Sequence, residues 1–315
     1  MIFHWRYRPL GFSIIMAILR DTYDSVHRDY EAAIHWMRSL GVSIAQSGRI
    51  GHYEKVLRHW KDAYRTASDE EGREVFPDFV SSMFEIFDFV AVHRAFGSLP
   101  QEQLTAIVKK LEKAVNGPKN AADEAGNSAA ARNFLFEACV AARVHQPANG
   151  VEAILTADSD TGIRMDRKKI WVECKRVTSV SKLEANVRDA CNQLGKRLEA
   201  EVGSGHRGIL AIDVTKIFNR GDKLYVSKGD DELVASAERM LDEFIVQHAM
   251  LWQRIYAAKH RKIIGTIFRL TFMAKSEASN LLVHNAHWGL TPRADASAAD
   301  LQLLKQLVAS MRAAK

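Results

Sequence analysis

Ile170-Trp171-Val172-Glu173-Cys174-Lys175-Arg176 is a short apolar run with an acid and a lysine set two residues apart inside it. On a β-strand, side chains alternate faces, so Glu173 and Lys175 point one way while Val172 and Cys174 point the other, into a core. A strand rich in Ile, Trp and Val is well buried, and charges there are costly unless they are paired or bound to an ion. Taken alone, the seven residues fit equally an edge strand carrying a solvated acid and base. Their surroundings decide between the two.

Working outward, two further strand patterns precede this one, over residues 151 to 156 and 162 to 165, and Asp166-Arg167 supplies a hairpin turn before the strand at 169 to 175. A helical pattern over 129 to 145 comes before the strands, with Phe134, Cys139 and Val140 on its apolar face and Glu137 in its middle. After them a helix over 181 to 202 carries the stripe Leu183, Val187, Ala190, Leu194 and Leu198. The continuous apolar run from Gly208 to Val214 is the kind of strand that is covered on both faces. The local order is therefore helix, three strands, helix, strand.

That hairpin would set Asp160, thirteen residues ahead of Glu173, alongside the far end of the third strand, so that Asp160, Glu173 and Lys175 converge. Two carboxylates suit a hard cation such as Mg²⁺, which keeps its other positions for water and phosphate oxygens. The metal polarises a phosphate and lowers the pKa of an attacking water, and a lysine beside it orients that water or stabilises the developing charge.

In these positions the chain resembles the PD-(D/E)XK, or restriction-endonuclease-like, nucleases. Ser159-Asp160 stands for the proline and aspartate of that motif, and Glu173-Cys174-Lys175 for the acid-x-lysine element, in the αβββαβ order of the family's core. Glu137 matches the family's additional glutamate on the preceding helix, and Gln193 on the following helix resembles the glutamine of the members related to the RecB nuclease. The resemblance covers roughly residues 129 to 215. It departs from the motif in the serine at position 159, and Asp158, two residues before Asp160, is an alternative ligand. It implies a Mg²⁺- or Mn²⁺-dependent deoxyribonuclease with Asp160, Glu173 and Glu137 at the metal and Lys175 and Gln193 completing the catalytic set.

Lys169, Arg164 and above all Arg176 are the candidate contacts to a phosphate backbone, within a basic segment that also holds Arg167, Lys168, Lys182, Arg188, Lys196 and Arg197. The competing reading for the helix residues is a solvated face paired with Glu184, Asp189 and Glu199. His284 and His287, three apart at a strand end, would point to opposite faces and make a poor zinc site.

The rest of the chain frames this core. Residues 22 to 117 read as four or five helices, broken at Gly41, Gly48 and Gly51, at 68 to 72, at 97 to 100 and at Gly117-Pro118. The small, polar stretch 118 to 128 separates an N-terminal helical domain, 1–120, from a nuclease-like domain with a C-terminal extension, 121–315. In that extension a polar loop over 219 to 231, one long helix over 232 to 260, strands over 263 to 274 and 280 to 287, and a last helix over 296 to 311 are expected. The fold class is thus mixed α/β, with a helical region followed by an αβββαβ core and further strands and helices.

Composition agrees with a globular protein of 315 residues, 47% hydrophobic and 26% charged, and excludes a mainly disordered or fibrous one. A net charge of +6 and a pI near 9.2 favour acidic partners such as nucleic acid. Cys139, Cys174 and Cys191 are too scattered for a disulfide framework, which suits the cytoplasm. The apolar run from Gly11 to Leu19 is too short to cross a bilayer and lacks a signal-peptidase site, so no membrane association is expected. One active site per chain would favour a homodimer for cutting both strands of a duplex. The alternative function is a binding module, the same fold with a weakened site.

Overall fold

Four helices open the chain: α1 (Tyr23–Ser39), α2 (Arg49–Ala63), α3 (Asp69–Phe96) and α4 (Thr105–Ala114). The computed structural model describes residues 12–14, 22–64, 66–124, 129–155, 161–165, 168–203, 205–220, 223–278 and 281–313. α1 and α3 begin at short polar side chains that satisfy otherwise orphaned backbone N–H groups. Thr22 Oγ1 accepts from Ser25 N at 3.1 Å, and Ser68 and Glu71 form a reciprocal capping box at α3. Gly51 and Gly72, expected as breaks, instead lie in the first turns of α2 and α3.

The α/β part follows as α5 (Ala130–Val144), β2 (Val151–Ile154), β3 (Thr161–Met165), β4 (Lys168–Arg176), α6 (Val180–Ala200) and β5 (Arg207–Asp213). β2, β3 and β4 form an antiparallel meander, and β5 lies parallel to β4 after the α6 crossover. The pairing of Met165 with Lys168 leaves two residues for the connection, as the hairpin reading required; Asp166 and Arg167 themselves lie outside the described residues. The chain then adds α7 (Thr215–Phe218), β6 (Tyr225–Ser227), α8 (Asp230–Gln247), α9 (Ala249–Ala257), β7 (Ile263–Ser276), β8 (Leu281–Pro292) and α10 (Ala298–Ala313). With β1 (Phe12–Ile14) on the outside, the mixed sheet runs β1-β8-β7-β5-β4-β3-β2, and β6 pairs with the end of β7.

Three differences from the sequence reading have local causes. The long helix expected over 232 to 260 is two, because at His248 the chain makes a tight turn: His248 N donates to Phe244 O, and Leu251 N to His248 O. β6 lies within the segment read as a loop, and β1 pairs with β8, nearly the whole chain away.

The sheet is covered on both faces. Phe136, Val140 and Val144 of α5 and Leu304 and Leu307 of α10 pack over Val172, Cys174, Ile209 and Ala211. On the other face, α6, α8 and α9 cover Trp171, Leu210, Ile212 and Phe268. A β-bulge in β7 sets this division. Gly208 pairs with Ile263 but Ile209 pairs with Gly265, so one residue of β7 is skipped and the alternation reverses. Beyond the bulge Phe268, Leu270 and Phe272 belong to the α6/α8 layer, while Ile267 joins the α5/α10 layer.

The helical region docks on the α/β part through α3 and α5, and its apolar core is continuous with the sheet's α6-side core. A buried polar network fastens this junction. Glu85 of α3 receives Arg49 Nη1 of α2 at 2.6 Å, Arg132 Nε of α5 at 2.7 Å and Tyr53 OH at 2.8 Å. Arg132 and Tyr53 also donate to the carbonyls of Pro118 and Lys119, between α4 and α5.

α6 sits unusually close to β5. A Cβ on Gly208 would lie 2.7 Å from Leu194 Cδ2 and 2.9 Å from Leu198 Cδ1. Gly208→Ala should therefore push α6 outward and destabilise the protein by about 1–3 kcal/mol, the usual cost of overpacking. Urea unfolding checks this, and an unchanged midpoint would contradict the packing. Among the described residues no helix is long and apolar enough to cross a membrane.

Candidate functional site

The alternation read from the sequence of β4 holds. Val172 and Cys174 are buried in the α5/α10 layer, and Glu173 and Lys175 project to the face that α6 covers. They keep 15% and 20% of their side-chain surface exposed, enough for a small ligand to reach them. Lys175 Nζ lies 3.1 Å from Glu173 Oε1, 3.1 Å from Asp189 Oδ2 and donates to Gln193 Oε1 at 2.8 Å. Gln193 in turn donates to Asp189 Oδ2 at 3.2 Å. Asp189 and Gln193 are four apart on α6 and so share one face of the helix, which is why both reach the same lysine.

Burial works against the charge on Lys175, but Glu173 and Asp189 outweigh it and hold the ammonium above its usual range. The group therefore stays protonated at neutral pH. It can donate hydrogen bonds and positive charge, but it is not a base. Its ion pairs are fully formed below the ordinary lysine pKa and are lost only as pH climbs through the raised folded value.

β3 begins at Thr161, which pairs with Val172, so the chain enters β3 beside Glu173. Thr161 Oγ1 also donates to the Glu137 carbonyl at 3.3 Å, which ties the middle of α5 to this strand start. The buried Glu137 carboxylate receives Lys110 Nζ from α4. Asp160, and the alternative Asp158, lie outside the described residues. Glu173, Lys175 and Gln193 are thus brought together; Glu137 stands at the start of the neighbouring strand in an ion pair of its own.

The candidate phosphate contacts separate. Arg164 is exposed and pairs with Glu152 of β2 at 3.4 Å, and Lys169 lies 5.9 Å from the Trp171 ring centre. Trp171 packs over Gly162 on the neighbouring strand and carries the Arg197 guanidinium 3.6 Å from its ring centre. Arg188 pairs with Glu184 at 2.7 Å, as the competing reading of a solvated, acid-paired helix face supplied, whereas Arg197 is held against an aromatic ring. Arg176 is turned to the other face, where Nη1 lies 2.7 Å and Nη2 3.4 Å from the two oxygens of Glu124, and Lys216 Nζ lies 3.0 Å from the same carboxylate.

No family model, curated protein or solved structure matches this chain.

The residues that sequence reasoning undervalued are the partners. Asp189 was readable as the i−4 neighbour of Gln193. Lys110 and Glu124 were not, because each meets its partner only through tertiary packing. Burial raises the Glu124 carboxyl, but Arg176 and Lys216 outweigh it and hold it below the usual value of 4.5. Its stabilising contribution is present above that value and lost as pH falls through the depressed one. Glu124→Gln should therefore flatten the loss of stability on acidification, measured as thermal midpoints between about pH 3 and 7. A variant that tracks wild type throughout would contradict the pairing.

Among the described residues one group has metal-ligand spacing, His27 and Glu31 of α1 with Glu54 of α2. His27 spans the two acids, Nδ1 to Glu31 at 3.3 Å and Nε2 to Glu54 at 3.2 Å, and Arg58 also reaches Glu54. These contacts make the group a hydrogen-bonded tie between two helices. His287 is buried on β8, and His284 stacks on Phe87 with ring centres 4.2 Å apart. Burial and the Arg269 charge push the His284 imidazole down to about 3, so it stays neutral.

Proposed function

We propose that this chain is a divalent-metal-dependent nuclease that hydrolyses phosphodiester bonds, with DNA the leading substrate, on a core of the restriction-endonuclease-like kind. The observation that carries the reading is the Glu173–Lys175–Gln193 cluster on the α6 face of β4, at the strand's junction with the start of β3. The αβββαβ order, with an antiparallel meander and a parallel fourth strand, supports it.

In this reading Glu173 and Asp160 hold Mg²⁺ or Mn²⁺, with Glu137 assisting at the start of β3. The carboxylate donors suit a hard cation that prefers oxygen. When bound, the metal would polarise the phosphate and acidify a water. Lys175, held protonated, donates to the phosphate or to the attacking water and stabilises charge that develops on the phosphoryl oxygens. Gln193 and Asp189 fix the ammonium, so that it is already aimed when substrate arrives. Arg164 and Lys169 remain candidate contacts to the backbone of the substrate, and Arg176 becomes one only if Glu124 yields it. Buried cysteines fit a reducing cytoplasm. The test is an assay with Mg²⁺ or Mn²⁺ on single- and double-stranded DNA and on RNA, with wild type, Asp160→Ala and Lys175→Ala. Equal activity in all three would remove the site assignment.

A second reading is favoured by one observation. Glu173 and Glu137 each pair with a lysine, as they would in a weakened site that serves a binding module. Calorimetry with Mn²⁺ separates the two: a nuclease takes up the metal and loses that uptake in Glu173→Gln, whereas the binding module shows none.

A further inference from the structure

On the opposite face of the sheet from Lys175, a cavity of about 60 Å³ lies where α3 and α5 meet the carboxyl ends of β4 and β5 and the middle of β7. Crevices beyond the carboxyl ends of parallel strands are where open α/β sheets commonly bind ligands. Five cationic side chains and three carboxylates line this one. The carboxylates are already engaged. Asp88 and Asp213 both face Arg269, Asp213 at 3.7 Å, and Glu85 belongs to the network with Arg49 and Arg132.

What is left over is mainly donors, since the one lining acceptor without a hydrogen bond among the described residues, Glu85 Oε2, is held by the Arg49 charge. Arg132 Nη1, Arg269 Nε and Thr271 Oγ1 have no hydrogen-bond partner among the described residues, and the three residues are 4%, 3% and 2% exposed. Arg220, exposed, stands in the same lining. Buried donors without partners are costly and call for a ligand or ordered water. The space suffices for about four water-sized groups, at the roughly 15 Å³ each requires, which matches the four oxygens of a phosphate. Guanidinium groups present forked donors suited to such an oxyanion. Glu124 shows the same preference beside the cavity, its carboxylate seated between Arg176 and Lys216.

We infer that this cavity binds a compact tetrahedral oxyanion, a phosphate or phosphomonoester group, held by Arg132, Arg269 and Thr271 with Arg220 at its mouth. The inference rests on the cavity and not on the nuclease reading, since Glu173, Lys175 and Gln193 meet on the other face of the sheet and none of them lines it.

The test is calorimetry on the full chain with inorganic phosphate, in the presence of a chelator so that no divalent metal contributes. Wild type should bind at a single site. Thr271→Val, which keeps shape and removes the hydroxyl, should weaken binding about tenfold, as expected for a hydrogen bond to a charged group. Arg220→Gln, an exposed change harmless to folding, should weaken it about threefold, the scale of an exposed ion pair. Glu173→Gln should bind phosphate as wild type does, which separates this site from the nuclease proposal. A 5′-phosphorylated dinucleotide compared with its 5′-hydroxyl form distinguishes the sources. Binding of the phosphorylated form alone marks a nucleic-acid end, and binding of inorganic phosphate without either dinucleotide marks the free ion. Absence of phosphate binding at millimolar concentration, meaning a water-filled cavity, overturns the inference. So does unchanged affinity in either pocket variant.

Discussion

Lys175→Ala should lower metal-dependent cleavage by about 10²- to 10³-fold, the range seen when one preorganised donor to developing charge is removed. The loss should fall on kcat with KM nearly unchanged, because in the proposed reaction the ammonium acts where charge builds up and contributes little to holding a long polyanion. Three partners hold Lys175 in place: Glu173, Asp189 and Gln193. Gln193→Ala leaves the two carboxylates and should cost only about tenfold, roughly one hydrogen bond to a charged group. A rate in Lys175→Ala within a factor of two of wild type would rule out its catalytic role. Because Lys175 stays protonated through neutral pH, the activity should show no rise with pH that depends on this residue. Single-turnover rates for wild type and Lys175→Ala at several pH values read this directly.

Glu85→Ala should be the most damaging single change to stability, at about 3–5 kcal/mol. It removes the one acid that receives Arg49, Arg132 and Tyr53, and it leaves two buried guanidinium groups without their counter-charge. The desolvation of those charges has been met in the folded state by Glu85; once it is gone the cost is borne unbalanced. Equilibrium unfolding in urea should show the loss, and the transition should broaden or split, because the network joins α2 and α3 to α5. A shift below about 1 kcal/mol would mean that the network contributes little beyond specificity.

The centre of the fold was legible because its physics is local. Alternation in the strand read at 169 to 175 and the amphipathic stripe from Leu183 to Leu198 follow from periods of two and 3.6 residues, and the two-residue connection after Met165 from turn chemistry. They suffice for the meander and the crossover to β5. β1 and β6 were not legible, since three-residue strands carry no period and exist only through pairing with β8 and β7. The break at His248 escaped for a related reason: the apolar pattern runs on through it with neither glycine nor proline to mark a stop.

The candidate site divides in the same way. Glu173, Lys175 and Gln193 could be assembled on paper because strand alternation and one crossover bring them together. The pairing of Arg176 with Glu124 could not, because 52 residues separate the partners and the acid lies in a stretch whose small polar composition reads as a linker. An arginine next to a candidate catalytic motif looks available in sequence, and tertiary structure decides whether it is.

The bulge at the start of β7 acts as a one-residue phase setting for everything downstream of it. With the skipped residue present, Arg269 is handed to the side where Asp88 and Asp213 wait, and Phe268 to the oily side under α8. Deleting Ile264 alone would reverse the phase and exchange the two, driving a guanidinium into hydrocarbon and a phenyl ring among carboxylates. Single-residue length changes ahead of Gly265 are therefore far more dangerous to this protein than most substitutions within the strand itself.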